Sequence, residues 1–371
     1  MIVFRVSAVL GGAAAVITVM LSAIRTVVVP RSQQVYLSRY VFVALRRVFD
    51  VFAREQRSYE DRDRVMALYG PLGLILLPGV WALLIIGSFT AVYWGLGIDP
   101  LRRAFSMSGS SFTTLGVTPP PNVPTTDAAI VEAVIGLGLV ALLISYLPSI
   151  YSSFQRRELA VSMLETRAGN PPSAVNLLRR HHLIGWLDDG GLLYAQWEEW
   201  FADIEETHTS QGTLVFFRSP LPNRSWITAA GAVLDSAALQ LSTVDVAWEP
   251  HAALCLRAGF LSLRRIADFF AIPYDEDPAA DDPISIARDE FDDVCRELAA
   301  AGVPLKADRE KAWADFAGWR VNYDEVLVNL SGLTMAPYAP WSSDRSIRYR
   351  IHPKALAHAA RLGRGLFSRG K

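Results

Sequence analysis

RRAFSMSGSSFTTLGVTPPP, from Arg102 to Pro121, is the stretch on which the reading of this chain turns. Just before it, Asp99-Pro100 sets a capping acceptor ahead of a proline suited to a first helical turn, so a short helix is expected from there through Phe105 to about Phe112. That helix is too short to cross a bilayer. It gives way to Thr113-Thr114-Leu115-Gly116-Val117-Thr118, expected to be extended, then to the prolines Pro119 to Pro121 and to Thr126-Asp127, expected to cap the next helix.

Apolar runs flank the stretch on both sides. One extends from about Pro71 to Leu96, with Trp81 inside it and Tyr93 and Trp94 at the end where aromatic rings favour a lipid–water boundary. The other extends from Ala128 to Tyr151 and carries Glu132, Gly136 and Gly138. A third apolar run, Val6 to Val29, opens the chain. No small-x-small cleavage site follows it, so it is expected to be a retained span rather than a signal peptide. Each run is long enough to cross about 30 Å of hydrocarbon at about 1.5 Å per residue.

Composition agrees with a divided chain. The 371 residues are 51% hydrophobic and only 20% charged, and the apolar residues crowd into the first 151 positions, leaving about 220 with an ordinary soluble pattern. A net charge of −1 gives no reason to expect a nucleic-acid partner, which requires a basic stripe on a folded surface. Cys255 and Cys295 lack CxxC spacing, which argues for buried free thiols rather than a zinc site or disulfide.

Arginines set the orientation. Nine, from Arg25 to Arg64, lie between the first two spans or at their edge, and Arg156, Arg157, Arg167, Arg179 and Arg180 follow the third, whereas the loop between spans two and three holds only Arg102 and Arg103. The positive-inside rule then places the amino terminus outside and the carboxy-terminal half in the cytoplasm of a cell with an inner or plasma membrane. Between the first two spans, Leu37, Tyr40, Val41, Ala44, Leu45, Val48, Phe49 and Phe52 recur at helical spacing opposite Arg46, Arg47, Asp50 and Arg54, as in an amphipathic helix at a membrane interface.

Span, short helix, threonine-glycine segment and span again is the order of a two-span pore module. Backbone at membrane depth that is not helical is tolerated only where protein or water surrounds it. Ser110-Ser111-Phe112-Thr113-Thr114-Leu115-Gly116 resembles the pore region of the two-span potassium channel family, whose filter has the form TVGYG. In that resemblance Thr114 looks like the filter threonine, Leu115 the valine, Gly116 the first glycine and Val117 the aromatic residue. Thr118 stands where the second glycine would be and Pro119 where an aspartate would follow, so the filter is degenerate.

The resemblance implies passive conduction of a monovalent cation such as potassium through a homotetramer in the lipid bilayer. Thr113, Thr114, Leu115, Gly116, Val117 and Thr118 would line the filter, with Ser110, Ser111 and Glu132 as its support. Glu132 also reads as an interfacial acid, and Gly136 and Gly138 read either as a gating hinge or as sites of close helix packing. The alternative function is a non-conducting membrane sensor or scaffold whose helical domain binds a cytoplasmic partner; an enzyme finds no catalytic constellation in the sequence, and no metal or cofactor is expected.

The expected architecture is an all-α membrane protein: an N-terminal transmembrane helix (1–30), an amphipathic interfacial helix (31–66), a pore module (67–158) and a cytoplasmic all-α domain (159–371). In the last, helices are expected at Leu177 to Trp186, Leu192 to Glu206, Ser225 to Leu241, His251 to Phe270, Ile284 to Ala301, Ala307 to Leu333 and Pro353 to Phe367. Trp226 to Leu241 is apolar enough for a fourth span, but Asp235, Gln240 and its length favour a core helix. Glu205 and His208 make a lone ExxH pair, His181-His182 a candidate pH sensor, Asp275 to Asp282 a solvated acidic linker, and Trp313, Trp319, Tyr323, Tyr338 and Trp341 a set of core and docking aromatics.

Overall fold

A computed structural model describes residues 1–27, 36–53, 58–187 and 190–346. The expected helix at Pro353 to Phe367 lies outside the described residues, as do the ends of the expected 31–66 helix at 28–35 and 54–57. Among the described residues the fold is all-helical, with one isolated bridge between Val244 and Leu305 and no strand. Three helical stretches are long and apolar enough to cross a membrane. The chain divides into two compact units: 1–54 with 65–152, and 55–64 with 153–371.

In the first unit, α1 (Ile2–Val27) lies along α4 (Tyr69–Gly95). Their backbones approach closely at Gly12, where a Cβ would stand 2.6 Å from the Ser88 carbonyl oxygen. Small residues at such crossings exchange side-chain bulk for backbone contact, the usual device where lipid supplies no hydrophobic drive between helices. Val16, Val19 and Ala23 of α1 pack with Leu77, Trp81, Ile85 and Phe89 of α4. Helix α2 (Tyr36–Phe52) is the expected amphipathic helix, and it lays Phe42 and Phe49 edge-on against Tyr69, whose hydroxyl donates to the Phe42 carbonyl at 3.0 Å. α3 (Tyr59–Ala67) precedes α4, α5 (Leu101–Phe112) follows it, and α6 (Val123–Ala168) completes the unit with its first thirty residues.

α6 departs from expectation at both ends. It begins before Thr126-Asp127, because Asn122 supplies the cap by accepting from the Thr125 amide at 3.1 Å. It also runs past Tyr151 through Pro148 to Ala168, so the third apolar run is the first part of a 46-residue helix.

The second unit is built around α9 (Trp226–Ser242), all seventeen residues of which are buried, so this run is a core helix as its polar residues suggest. α7 (Ala174–Leu183), α8 (Gly191–Ser210), α10 (Pro250–Phe269), α11 (Arg288–Ala300), α12 (Arg309–Arg320) and α13 (Asp324–Thr334) surround or extend that core. The expected single helix from Ala307 to Leu333 is broken into α12 and α13, because Asn322 turns its amide back onto the Gly318 carbonyl at 2.9 Å and satisfies the end of α12. The expected start at Ile284 is likewise delayed to Arg288. Ser285 is held by two hydrogen bonds to Asp324 there, and Glu290 caps α11 by accepting from the Ala287 amide at 2.8 Å.

The break between α12 and α13 places Arg320, Tyr323 and Asp324 around Asp235 in the middle of α9. Arg320 reaches Asp235 at 2.5 Å, Asp324 at 2.7 Å and the Trp341 carbonyl at 2.6 Å, and the Tyr323 hydroxyl donates to Asp235 at 2.8 Å. Burial pushes the Asp235 carboxyl up against the pull of Arg320, whereas at Asp324 Arg320 and Ser285 outweigh burial and hold the carboxyl below the usual range. A second buried cation, Arg157, donates to the carbonyls of Leu214 and Phe217 at 2.7 and 2.6 Å, pairs with Glu158 at 2.8 Å and lies 3.2 Å from His208. Residues 58–64, expected with the interfacial helix, pack in this unit, where Arg218 joins Asp63 and donates to the Thr334 carbonyl.

Removing one partner from a buried ion pair leaves the other charge uncompensated at ~3–5 kcal/mol. Arg320→Leu is therefore expected to lower the unfolding free energy of the second unit by that order, read by thermal melting of the purified chain. Burial, reinforced by Arg157, holds His208 well below its usual pKa, and burial with Arg167 lowers that of His181. A depressed histidine costs stability as pH falls through the unfolded value of about 6.5, because the unfolded chain then takes a proton that the folded one refuses, up to ~1.4 kcal/mol per pH unit for each group. Melting temperatures measured from about pH 7 down to about pH 5 are expected to fall, and less steeply in His208→Gln.

Candidate functional site

The residues singled out in the sequence gather around α5. Pro100 is the extended N-cap residue ahead of α5 rather than a residue of its first turn, and Asp99 does not cap the helix; the Asp99 carboxylate pairs with Arg5 of α1 at 2.5 Å. Ala104, Met107, Ser108 and Ser110 form the buried face of α5, and Phe105 is exposed.

Glu132 of α6 is fully buried and ties three helices together. Its carboxyl accepts from the Tyr93 hydroxyl of α4 at 2.8 Å and meets Ser108 of α5 at 2.5 Å, and Ser108 also reaches the Ile86 carbonyl of α4 at 2.9 Å. The carboxyl is thus enclosed by α4, α5 and α6. One turn further along α6, a Cβ on Gly136 would collide with the Phe112 carbonyl, so this glycine admits the end of α5 against α6. Gly138 faces open space.

The segment Thr113 to Thr118 is not extended throughout. Its first half closes α5 in a Schellman turn: the Leu115 amide donates to the Ser110 carbonyl at 2.9 Å and the Thr114 amide to the Ser111 carbonyl at 3.0 Å. Thr114 occupies the left-handed position at φ 56°, which glycine favours and a β-branched residue adopts at a cost of ~1–3 kcal/mol. The second half is pinned by Ser110, whose hydroxyl accepts from the Thr118 amide at 3.2 Å, while Ser106 and Thr118 place their hydroxyls 3.3 Å apart. Leu115 and Val117 stand 70% and 69% exposed, with Gly116 between them at φ 71°.

Ser110 thus braces the loop by both its hydroxyl and its carbonyl, and Ser111 contributes its carbonyl. Tyr93 and Ser108 were not apparent as functional residues from sequence. Tyr93 carries the signature of a boundary aromatic, and nothing in the linear spacing of Ser108 reveals an acid 24 residues away. The other constellations separate. Glu205 pairs with Arg265 and accepts from Ser262, whereas His208 faces Arg157 and Thr207, and no cluster of metal-ligating residues occurs among the described residues. Cys255 and Cys295 are free and buried. Tyr323 and Trp341 join the core of the second unit with Trp313 and Trp319 packed against it, but Tyr338 is 68% exposed.

No protein-family model, curated protein or solved structure matches the chain, so its functional reading rests on this geometry.

Proposed function

We propose that this is a potassium-channel-like protein of the inner or plasma membrane, in which several copies, four by the resemblance, arrange Thr113 to Thr118 around a shared axis and pass monovalent cations. One observation carries the reading. In a planar trans peptide the carbonyl points opposite to the amide of the next residue. The amides of Thr114, Leu115 and Thr118 are all tied back to α5 or its Ser110 side chain, so the carbonyls of Thr113, Thr114 and Val117 are turned away from that helix.

Oxygens presented outward at the carboxy-terminal, negative end of a short helix are the chemistry that replaces a cation's water. The exposed Leu115 and Val117 side chains support assembly as well, since apolar residues beside these oxygens gain burial only against lipid or another copy. Placement of the amino terminus outside and the second unit in the cytoplasm follows from the arginine asymmetry. The rival reading, a non-conducting sensor or scaffold, is favoured by Thr118-Pro119, since a β-branched residue before proline resists the backbone that a second filter glycine adopts.

Potassium flux from liposomes containing the purified chain separates the two. Gly116→Ala places a side chain at a positive-φ position, and flux is expected to disappear while the protein still reconstitutes. Absence of flux from the unsubstituted chain under every ionic condition would transfer the assignment to the scaffold reading. Glu132→Leu leaves the Tyr93 hydroxyl without its acceptor and is expected to reduce the yield of assembled oligomer in native gels, with Glu132→Gln retaining more of it.

A further inference from the structure

Three oxygen–oxygen contacts meet where α4, α5 and α6 come together. The Tyr93 hydroxyl stands 2.8 Å from one Glu132 oxygen, the Ser108 hydroxyl 2.5 Å from the other, and the same Ser108 hydroxyl 2.9 Å from the Ile86 carbonyl. All three fall in the ~2.5–3.0 Å range of an O–H···O bond, so each calls for one hydrogen between its two oxygens. Tyr93 and Ser108 bring one hydroxyl hydrogen apiece, and the Ile86 carbonyl brings none. Two hydrogens cannot fill three contacts. With Glu132 ionised, Ser108 either bonds the carboxylate and turns bare lone pairs on the Ile86 carbonyl, or bonds the carbonyl and turns them on the carboxylate.

Charge leads to the same place. Glu132 is fully buried, and a buried carboxylate is costly without a cation beside it. α4 contains no charged residue from Tyr69 to Gly95, Arg102 and Arg103 of α5 and Asp127 of α6 are exposed, and Arg5 of α1 is engaged by Asp99. The groups that touch the carboxyl, Tyr93 and Ser108, are neutral hydroxyls.

We infer that Glu132 is a proton-binding site: it carries its own hydrogen as a neutral acid and donates it to Ser108, Ser108 donates to the Ile86 carbonyl, and Tyr93 donates to the remaining carboxyl oxygen. Three hydrogens then fill three contacts. They run head to tail from α4 through α6 and α5 back to α4, an order in which each bond polarises the next. The proton is what lets Ser108 hold α4 and α6 at once. It also means that the support beneath the loop after α5 adds no negative charge to it, whether or not that loop conducts.

Infrared difference spectroscopy of the full-length chain in phosphatidylcholine liposomes tests the inference, in neutral buffer and with isotopically labelled glutamate to set its bands apart from those of aspartate. The carbonyl stretch of a protonated glutamic acid, above the carboxylate bands in frequency, is expected in the unsubstituted chain and is expected to vanish in Glu132→Gln. Tyr93→Phe keeps the acid but removes the hydrogen bond to its carbonyl oxygen, so it is expected to move the band to higher frequency, and it decides the matter alone if Glu132→Gln does not reconstitute. Absence of the band from the unsubstituted chain, or a band that both substitutions leave unmoved, would overturn the inference. Glutamine also supplies a donor for Ser108 and an acceptor for Tyr93 without a charge. Hydrogen exchange at the Thr114 and Leu115 amides is therefore expected to stay within about twofold of the unsubstituted chain in Glu132→Gln and to rise roughly tenfold in Ser108→Ala. An equal rise in both variants shows that α5 needs a carboxylate, and the inference then fails.

Discussion

The first unit depends on how a single carboxyl group is accommodated among apolar helices. A buried acid without hydrogen-bond partners is expensive, and in hydrocarbon there is no water to relieve it. Glu132 avoids that cost by hydrogen bonding with Tyr93 and Ser108, and in doing so it fixes the spacing of α4, α5 and α6 at one point. Apolar packing alone does not define such a register, since leucine and valine side chains slide past one another with small penalties, whereas two directed hydrogen bonds to one carboxyl do not. Gly136 extends the same constraint, for α6 can carry Glu132 to Ser108 only if the carbonyl at the end of α5 has room beside it.

Buried charge organises the second unit by the same logic at a larger scale. Asp235 sits midway along a fully buried helix and is its one charged residue, and Arg320, Tyr323 and Asp324 converge on it from the break between α12 and α13. Arg157 plays the corresponding part for the turn after α8, donating to the Phe217 carbonyl and to the Leu214 carbonyl, which also accepts from the Phe217 amide at the end of the short 3-10 segment Gly212–Phe216. α6 contributes to both units in this way, with Glu132 in one and Arg157 in the other. Such networks contribute less net stability than their contacts suggest, and their larger effect is to exclude alternative packings, since every misregistered arrangement strands a charge.

Helix content, the three apolar runs and the short helix between the last two were legible in the sequence because each is written in local pattern: apolar run length, 3.6-residue periodicity and a proline at a helix start. α9 was legible for the same reason, Asp235 and Gln240 being enough to distinguish a core helix from a span. What escaped was the choice between competing bonds, one of them to a residue distant in the chain and two of them local. Asp99 has the signature of a cap but is claimed by Arg5; Asn322 breaks a continuous helical pattern by bonding to carbonyls behind it; Asn122 starts α6 ahead of the better-looking Thr126-Asp127. At Asp99 a tertiary partner displaced the local solution, whereas at Asn322 and Asn122 one local solution prevailed over another that the sequence pattern offers equally. Glu132 was legible as an oddity, an acid inside an apolar run, while its partners were not, because a tyrosine near a span end and a serine in a short helix are ordinary on their own.

The loop after α5 illustrates how far one copy of the chain determines its own geometry. Thr114 adopts a conformation that its branched side chain disfavours, and such strain persists only where surrounding bonds over-determine it. Here the Schellman pair fixes the entry to the loop and the Ser110–Thr118 bond fixes its exit, so the four intervening residues are held at both ends by α5 itself. α5 is held in turn by Glu132 through Ser108. The direction in which the Thr113, Thr114 and Val117 carbonyls point is therefore decided within a single chain, and the proposed assembly of several copies would bring together oxygens already oriented rather than having to reorganise them. Pre-orientation of that kind lowers the ordering cost of forming a shared site, and it makes the chain from Glu132 through Ser108 to Ser110 the structural determinant of the loop.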